Sequence, residues 1–559
     1  MGMQQIPFVP MQGKSRSSTL DAQVCINFFA EQAPSKDAES EVMAVGVPGL
    51  KVFSSLSTGP IRAFHIVNDL LYVVSGPGLF SLSKTGVVSD CGTGIAGSSV
   101  VNVADNGQQI LIVNGQEGYL YQISTNTLTQ IGPNTVIDVQ ISSEAVPGDE
   151  ALNITVTTTN QTVENITIPS DITGPGIPPG TSILSVSGNI LNISAPITQD
   201  LPVGTALVVT VIGTNAFYPA KTVTFIDGYF VLERTGTAEF FYSGLYNGAT
   251  YNGLDYATKE SNSDFLQGVI NLHQLLILIG ERTSELWYDS GTTDAPFSPY
   301  TSSAIQRGTA APYSIVLEDN AIFFLGDDLI FYRFQTYLPV RISTHVEESV
   351  WASYGSYADA FAFVTIWQGH KFINLTFPSA PGDQPRTWVF DIATSLWHVR
   401  DSVDQDNVSM ARWRGNAGIM YFGQTLIGDC VNGNVGVWDY DTFTEYGNTI
   451  VGQVSSPPIH KNRRRIFMRA LEVYMESGTG LQEGEGSDPQ IYLDYSDDGG
   501  KTWSARKLPQ SFGPQGQYKK RCRWLRLGQA RTRTLRLTIT DPVRRNIIGA
   551  YLDVQAGES

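Results

Sequence analysis

The stretch Thr222-Val223-Thr224-Phe225-Ile226-Asp227-Gly228-Tyr229-Phe230-Val231-Leu232 sets an Asp-Gly pair between two runs of β-branched and aromatic residues. Asp-Gly tolerates the positive φ that a two-residue turn demands, so the stretch predicts a tight β-hairpin. Similar units stand on either side: Leu71 to Leu82, Gln109 to Ile123 around Asn114-Gly115, Leu275 to Tyr288 around Gly280-Glu281, Ala321 to Phe334 around Gly326-Asp327, Ala360 to Phe377 with Trp388 to Val399, and Ile419 to Tyr440. One inserted stretch aside, they recur every 40 to 55 residues or so, the spacing of propeller blades. The expected fold is all-β, a propeller-like ring of hairpin blades. No residue pattern closes every blade, so their number is not legible.

Composition points the same way. Among 559 residues, 54 Gly and 28 Pro supply turns for many short strands, and 42% hydrophobic residues supply a core. Only 16% are charged, against roughly 25% in an average soluble protein, which implies a surface that is largely neutral or covered in an assembly. A net charge of −17 argues against a free-standing DNA binder, whose affinity comes from neutralising phosphates.

The length predicts two or three domains. Residues 1–134 with 221–460 form the propeller-like body. Residues 135–220 contain no Lys, no Arg and one aromatic pair, Phe217-Tyr218; with alternating runs such as Ala206 to Ile212 they predict an inserted Ig-like module, a small β-sandwich. Residues 461–559 predict a basic all-β terminal domain. It carries a net +7, leaving −24 on everything before it. Cys25, Cys91, Cys430 and Cys522 are scattered and suggest buried thiols rather than disulfides or a metal site. There is no signal-like start and no long apolar run, so a soluble product in a reducing cytoplasm is expected. Six Asn-x-Ser/Thr tripeptides, Asn153-Ile154-Thr155 among them, then read as strand sequence.

Motifs with chemical meaning are few. Gly92-Thr93-Gly94-Ile95-Ala96-Gly97 fits the dinucleotide fingerprint in letters, but the β-branched Ser98 to Val103 opens no helix, so an inter-blade loop is expected. Gly499-Gly500-Lys501-Thr502 lacks the first glycine of a P-loop, since Tyr495 stands there. The same residues fit an Asp-box-like turn, with Ser496, Asp498, Gly500, Thr502 and Trp503 in structural roles. Acid pairs occur at Asp327-Asp328, Glu347-Glu348 and Asp439-Tyr440-Asp441, and their default is solvated turns. Six dispersed histidines suggest no ligand set. No catalytic residue, metal site or cofactor is expected. Arg463, Arg464 and Arg465, in the basic cluster that opens the terminal domain, are candidate contacts to a protein partner.

Several segments together resemble the packaged-DNA stabilisation proteins, also called tail hub or nozzle proteins, of short-tailed bacteriophages. They are Gln23 to Glu31, Val47 to Phe53, Gly59 to Phe64 leading to Leu71 to Val74, Phe225 to Val231, Gly280 to Trp287 and Arg341 to Glu347. The resemblance implies a non-enzymatic virion protein of the phage tail, a homo-oligomer of six copies forming a ring below the head-to-tail adaptor. It would sit near the tail needle, fibres or spikes, retaining packaged double-stranded DNA and conducting it during ejection without tight binding. The alternative is a glycan-binding or glycan-hydrolysing propeller, sialidase-like, serving receptor recognition. The Asp-box and the abundant aromatics support that reading.

Overall fold

A computed structural model describes the chain apart from residues 1–2, 7, 9, 15–21, 34–39, 132–133, 159–161, 164–165, 167–169, 179–180, 213–215, 293–294, 301–303, 336–337, 463 and 558–559. The chain divides into two units. One comprises Met1–Asn102, Ile277–Leu286 and Tyr300–Ser559, the other Val103–Leu276 and Trp287–Pro299.

The Asp227-Gly228 turn forms as the sequence requires. φ is 47° at Asp227 and 92° at Gly228, and Ile226 pairs with Tyr229 across the turn. The same doubly left-handed, two-residue turn joins the first two strands of five further sheets, at Asn68-Asp69, His273-Gln274, Asp319-Asn320, Gln368-Gly369 and Phe422-Gly423. The repeat is therefore carried by backbone conformation rather than residue identity, which is why no shared signature is visible in the sequence. Five separate four-stranded antiparallel sheets of the blade type occur among the described residues, and two further blade-type groups of four strands lie within larger sheets, seven in all.

In the first unit, the sixth of these sheets is Phe361–Trp367, His370–Thr376, Thr387–Asp391 and Leu396–Arg400. The seventh is Gly415–Tyr421, Gln424–Asp429 and Asn434–Asp439, completed by Gly49–Ser55 from far upstream, with Trp438 opposite Leu50. Phe372, Val389, Trp413, Ile427 and Trp438 pack with Phe29 and Leu50 in a shared core. Buried charge is threaded through it. Arg400 lies 3.9 Å above the Trp413 ring, and Trp413 Nε1 donates to Glu445 at 2.8 Å. His398 beside them is pushed down to about 3, by burial first and then by the Arg400 charge. One short α-helix, His345–Trp351, starts at Thr344 with a capping box closed by Glu347.

The terminal sandwich also belongs to the first unit. One sheet runs Cys522–Ala530, Ile466–Met475, Asn546–Ala556, Val42–Gly46, Phe28–Gln32, with Gln4–Ile6 also on Asn546–Ala556. In the other sheet Gly452–Ser455, Thr532–Ile539, Gln490–Ser496 and Gln510–Ser511 continue from the sixth blade through Cys25–Ile26. Here the pairing departs from the division expected at 460/461, which left the start of the chain wholly in the propeller-like body. Ala44 faces Ile547 and Cys25 faces Val454, so the first strands of the chain complete the last domain. Phe28 and Ala44 bury their side chains among Leu471, Leu493, Leu537 and Leu552, which would otherwise face water.

In the second unit, the sheet Val223–Ile226, Tyr229–Glu233, Glu239–Tyr242 and Tyr256–Thr258 shares a core with Gln109–Val113 and Gly118–Gln122. Gly118 is required there, because a Cβ would come within 2.2 Å of the Phe217 ring. The inserted module differs from the expected sandwich: Asn134–Ile141, Ala151–Val156, Ser170–Thr173, Ser182–Ser187, Ile190–Ile193 and Ala206–Ile212 close into a barrel. Ala206–Ile212 pairs with strands on both sides, Asn134–Ile141 and Ser170–Thr173, which removes the open edges two sheets would leave. Ile137, Val139, Ile154, Leu191, Leu207 and Val209 fill the interior.

Candidate functional site on the C-terminal sandwich

Gln490–Ser496 ends in the Asp-box stretch, and the turn is knit from its own side chains. Asp498 Oδ1 accepts from Lys501 N at 3.0 Å and Thr502 N at 2.9 Å, while Thr502 Oγ1 donates to Asp498 Oδ2 at 2.6 Å. Ser496 Oγ donates to Asp498 at 2.7 Å and accepts from Gly500 N at 2.8 Å. These donors favour the charged form, so the Asp498 carboxyl is held well below the usual carboxylate range, the Thr502 hydroxyl contributing most. With the N–H groups of Gly500, Lys501 and Thr502 turned onto Ser496 and Asp498, the loop offers none of them to a phosphate.

Arginines from Thr532–Ile539 cover the turn and its strand. Arg536 stands 3.9 Å over Trp503 and donates to Asp494 at 3.1 Å. Arg533 stands 3.9 Å over Tyr495 and grips Asp497 with two N–H groups, at 2.5 and 2.6 Å.

The basic cluster lies on the other sheet. Arg463 falls outside the described residues; Arg464 and Arg465 are exposed at the entry to Ile466–Met475, where Arg465 O accepts from Gly557 N at 2.7 Å. Beyond them, exposed Phe467, Arg469 and Tyr474 lie along Ile466–Met475, and exposed Arg523, Leu525 and Arg526 along the adjoining strand Cys522–Ala530. The Asp-box and the arginine cluster are thus on different strands of different sheets. The mixed aromatic and basic run has the composition of a protein contact surface. Its sequence signal was the alternation in Phe467 to Tyr474, which only burial divides into an inner and an outer row.

The remaining motifs resolve into local bonding. Gly92 and Thr93 end the strand Val88–Thr93, and the loop that follows wraps Arg62, buried and donating to the carbonyls of Ser99, Ala96, Gly76 and Ile95 at 2.7, 2.8, 3.0 and 3.2 Å. That loop presents oxygens to a cation, the reverse of a pyrophosphate cradle. Asp327 and Asp328 lie 3.8 and 3.4 Å from Arg307, Glu347 closes the helix cap, and Glu348 pairs with Arg341 at 2.6 Å. Asp439 accepts from Thr442 Oγ1 at 2.9 Å. Among the described residues no three His, Cys, Asp or Glu side chains come together as a metal site would need.

A series of blade-type sheets followed by a β-sandwich with an arginine-rich face, built on short strands and structural turns, defines an all-β propeller-and-sandwich protein. Residues 214–443 match the family model for the bacteriophage P22 Gp10 β-propeller, and residues 453–555 that for the Gp10 β-sandwich. Together these segments make up more than half of the chain, which belongs to the family of P22 Gp10, the packaged-DNA stabilisation protein. No curated protein matches the chain. Solved structures similar to it include the computationally designed Ika8 protein, 11% identical, covering 69% of this chain and 99% of that one, with a TM-score of 0.33. The N-terminal domain of Nup159 is 8% identical over 73% and 97%, with a TM-score of 0.33. Kluyveromyces lactis Hsv2 is 9% identical over 61% and 97%, with a TM-score of 0.24. Likenesses at this level carry no functional weight.

Proposed function

We propose that the protein is a non-enzymatic tail nozzle subunit, six copies of which form a ring below the head-to-tail adaptor. The ring retains the packaged genome and lets it through during ejection. Needle, fibre or spike proteins attach beyond it, and the subunit is made in the host cytoplasm before assembly.

The observation that carries this reading is membership of the Gp10 family through both the propeller and the sandwich segments. Charge supports it. With −24 on the first 460 residues, a channel lined from this part repels phosphates spaced at one charge per about 1.7 Å of duplex, so DNA slides without an adhesive minimum. The +7 terminal domain then faces protein carboxylates, through Arg463, Arg464 and Arg465, rather than the channel.

Light scattering and negative-stain imaging of the purified protein, with and without its adaptor, test the ring: six-fold particles are expected, and a monomer under every condition would overturn it. Anisotropy with duplex DNA tests the conduit. Binding weaker than the range of about 10⁻⁴ to 10⁻⁶ M seen for non-specific binders is expected at physiological salt. Sub-micromolar binding lost on Arg464→Glu with Arg465→Glu would make the sandwich a DNA clamp instead.

A further inference from the structure

Between the sixth and seventh blade sheets lies a hollow of about 420 Å³, within the usual range for small-molecule sites. Its wall is Trp367, the last residue of Phe361–Trp367, with Gln368 following in the left-handed turn; Trp438 lines it from the seventh sheet. Trp367 is half-buried. It meets Trp438 edge-on at 5.8 Å and lies within 20° of parallel to Tyr440 at 6.5 Å. Lys51, Gln424, Thr425 and Asp439 complete the polar part of the lining. The side chains of Lys51, Gln368 and Gln424 are exposed and make no hydrogen bond or ion pair among the described residues. Trp438 is buried, and its indole N–H has no partner either.

We propose that this hollow binds a neutral saccharide. Four features select that class. The lining balances one cation, Lys51, against one carboxylate, Asp439, so it offers no net charge to a phosphate or an acidic peptide. Gln368 and Gln424 each carry a donor and an acceptor, matching hydroxyl groups, which both donate and accept. The half-buried Trp367 indole offers an apolar ring to the C–H face of a pyranose, while the volume suits a compact ring rather than a chain. The aromatic wall is held by its neighbours, so little ordering entropy is lost on binding. The inference goes beyond the ring reading and does not depend on it.

The test uses the full-length protein and the methyl glycosides of glucose, galactose, rhamnose and N-acetylglucosamine. Saturation-transfer NMR screens the four, and tryptophan fluorescence titrates any that bind. At least one is expected to bind saturably, with affinity falling about tenfold or more in Trp367→Ala, less in Trp367→Phe, and unchanged in Trp503→Ala, on the C-terminal sandwich. Gln424→Ala removes an exposed side chain and serves if Trp367→Ala does not fold; it too should weaken binding severalfold. Binding by none of the four, or binding indifferent to both Trp367→Ala and Gln424→Ala, overturns the site. So does loss of oligomerisation in folded Trp367→Ala, which would make the hollow a seat for a neighbouring subunit. Native mass measured on the same samples reports the ring separately, so either reading can fail alone.

Discussion

The Arg536 guanidinium lies 3.9 Å above the Trp503 indole while donating to Asp494, so one side chain ties the end of the Asp-box turn to the strand that leads into it. A glycan-processing enzyme would place such an arginine where substrate could reach it. Here both of its faces of interaction are taken up by the sandwich itself. Asp498→Ala should therefore lower the melting temperature of the sandwich and leave the oligomeric state of the folded protein unchanged. Because its carboxyl is held low, the contribution of Asp498 is present above the ordinary carboxylate range and lost as pH falls through the folded value. Sialoside or capsule hydrolysis by the wild type, lost in Asp498→Ala, would defeat the structural reading.

Arg62 is the second such tie. Its bonds to the carbonyls of Ile95, Ala96 and Ser99 hold the Gly94 to Ser99 loop against the strand Ile61–Val67, and a fourth goes to the carbonyl of Gly76. Arg62→Met keeps the stem and leaves those oxygens unpaired, so it should cost about 3 kcal/mol of stability, measured by urea denaturation. A loss below about 0.5 kcal/mol would mean that water replaces the guanidinium at no cost.

The sandwich requires the start of the chain. Residues 453–559 produced alone lack Val42–Gly46 and Phe28–Gln32, leaving Leu471 and Leu552 without cover. That fragment should be insoluble or unfolded by circular dichroism, and co-expression with residues 1–48 should rescue it. A cooperative melt of the isolated fragment would show that the N-terminal strands are an ornament.

His398 makes stability depend on pH. The unfolded residue titrates near 6.5 and the folded one near 3, so the native state refuses a proton the unfolded chain accepts. Stability is full above about 6.5 and falls on acidification, with about 2 kcal/mol lost by pH 5. His370, raised by its hydrogen bond to Asp391, works in the opposite sense: its contribution is present at low pH and lost as pH rises through its folded value. The difference between wild type and His398→Phe in melts from pH 7 to pH 5 isolates the buried residue, and parallel curves would contradict the assignment.

The His273-Gln274 turn, with φ of 51° and 65° at exposed positions, holds two residues in a conformation that suits neither. Changing the pair to Asn-Gly, the residues this turn prefers, should stabilise the protein by about 1 kcal/mol in thermal melts. A destabilised variant would show that one of the two side chains packs usefully.

The local grammar of the chain was legible without coordinates. Asp227-Gly228 dictates its hairpin because only certain residues accept positive φ, and the alternation around it dictates strands. Ser496 to Trp503 spells its own turn because the bonds it makes span no more than a few residues. Thr344 to Glu347 spelled a helix cap in the same local way and was passed over among strands. Distant pairing was not legible. Gly49–Ser55 could serve any sheet until the edge strand Asn434–Asp439 selects it, and Val42–Gly46 finds its partner, Asn546–Ala556, some five hundred residues away. The sequence by itself determined an all-β chain of hairpins, its acidic body and its basic end. Tertiary structure alone decided that the inserted strands close as a barrel, that the chain's beginning completes its last domain, and that Trp367, Trp438, Gln424 and Lys51 line one hollow. Turn chemistry acts over a few bonds and is written in adjacent residues. The choice among apolar strand edges is made by burial, which depends on every surface the chain offers at once.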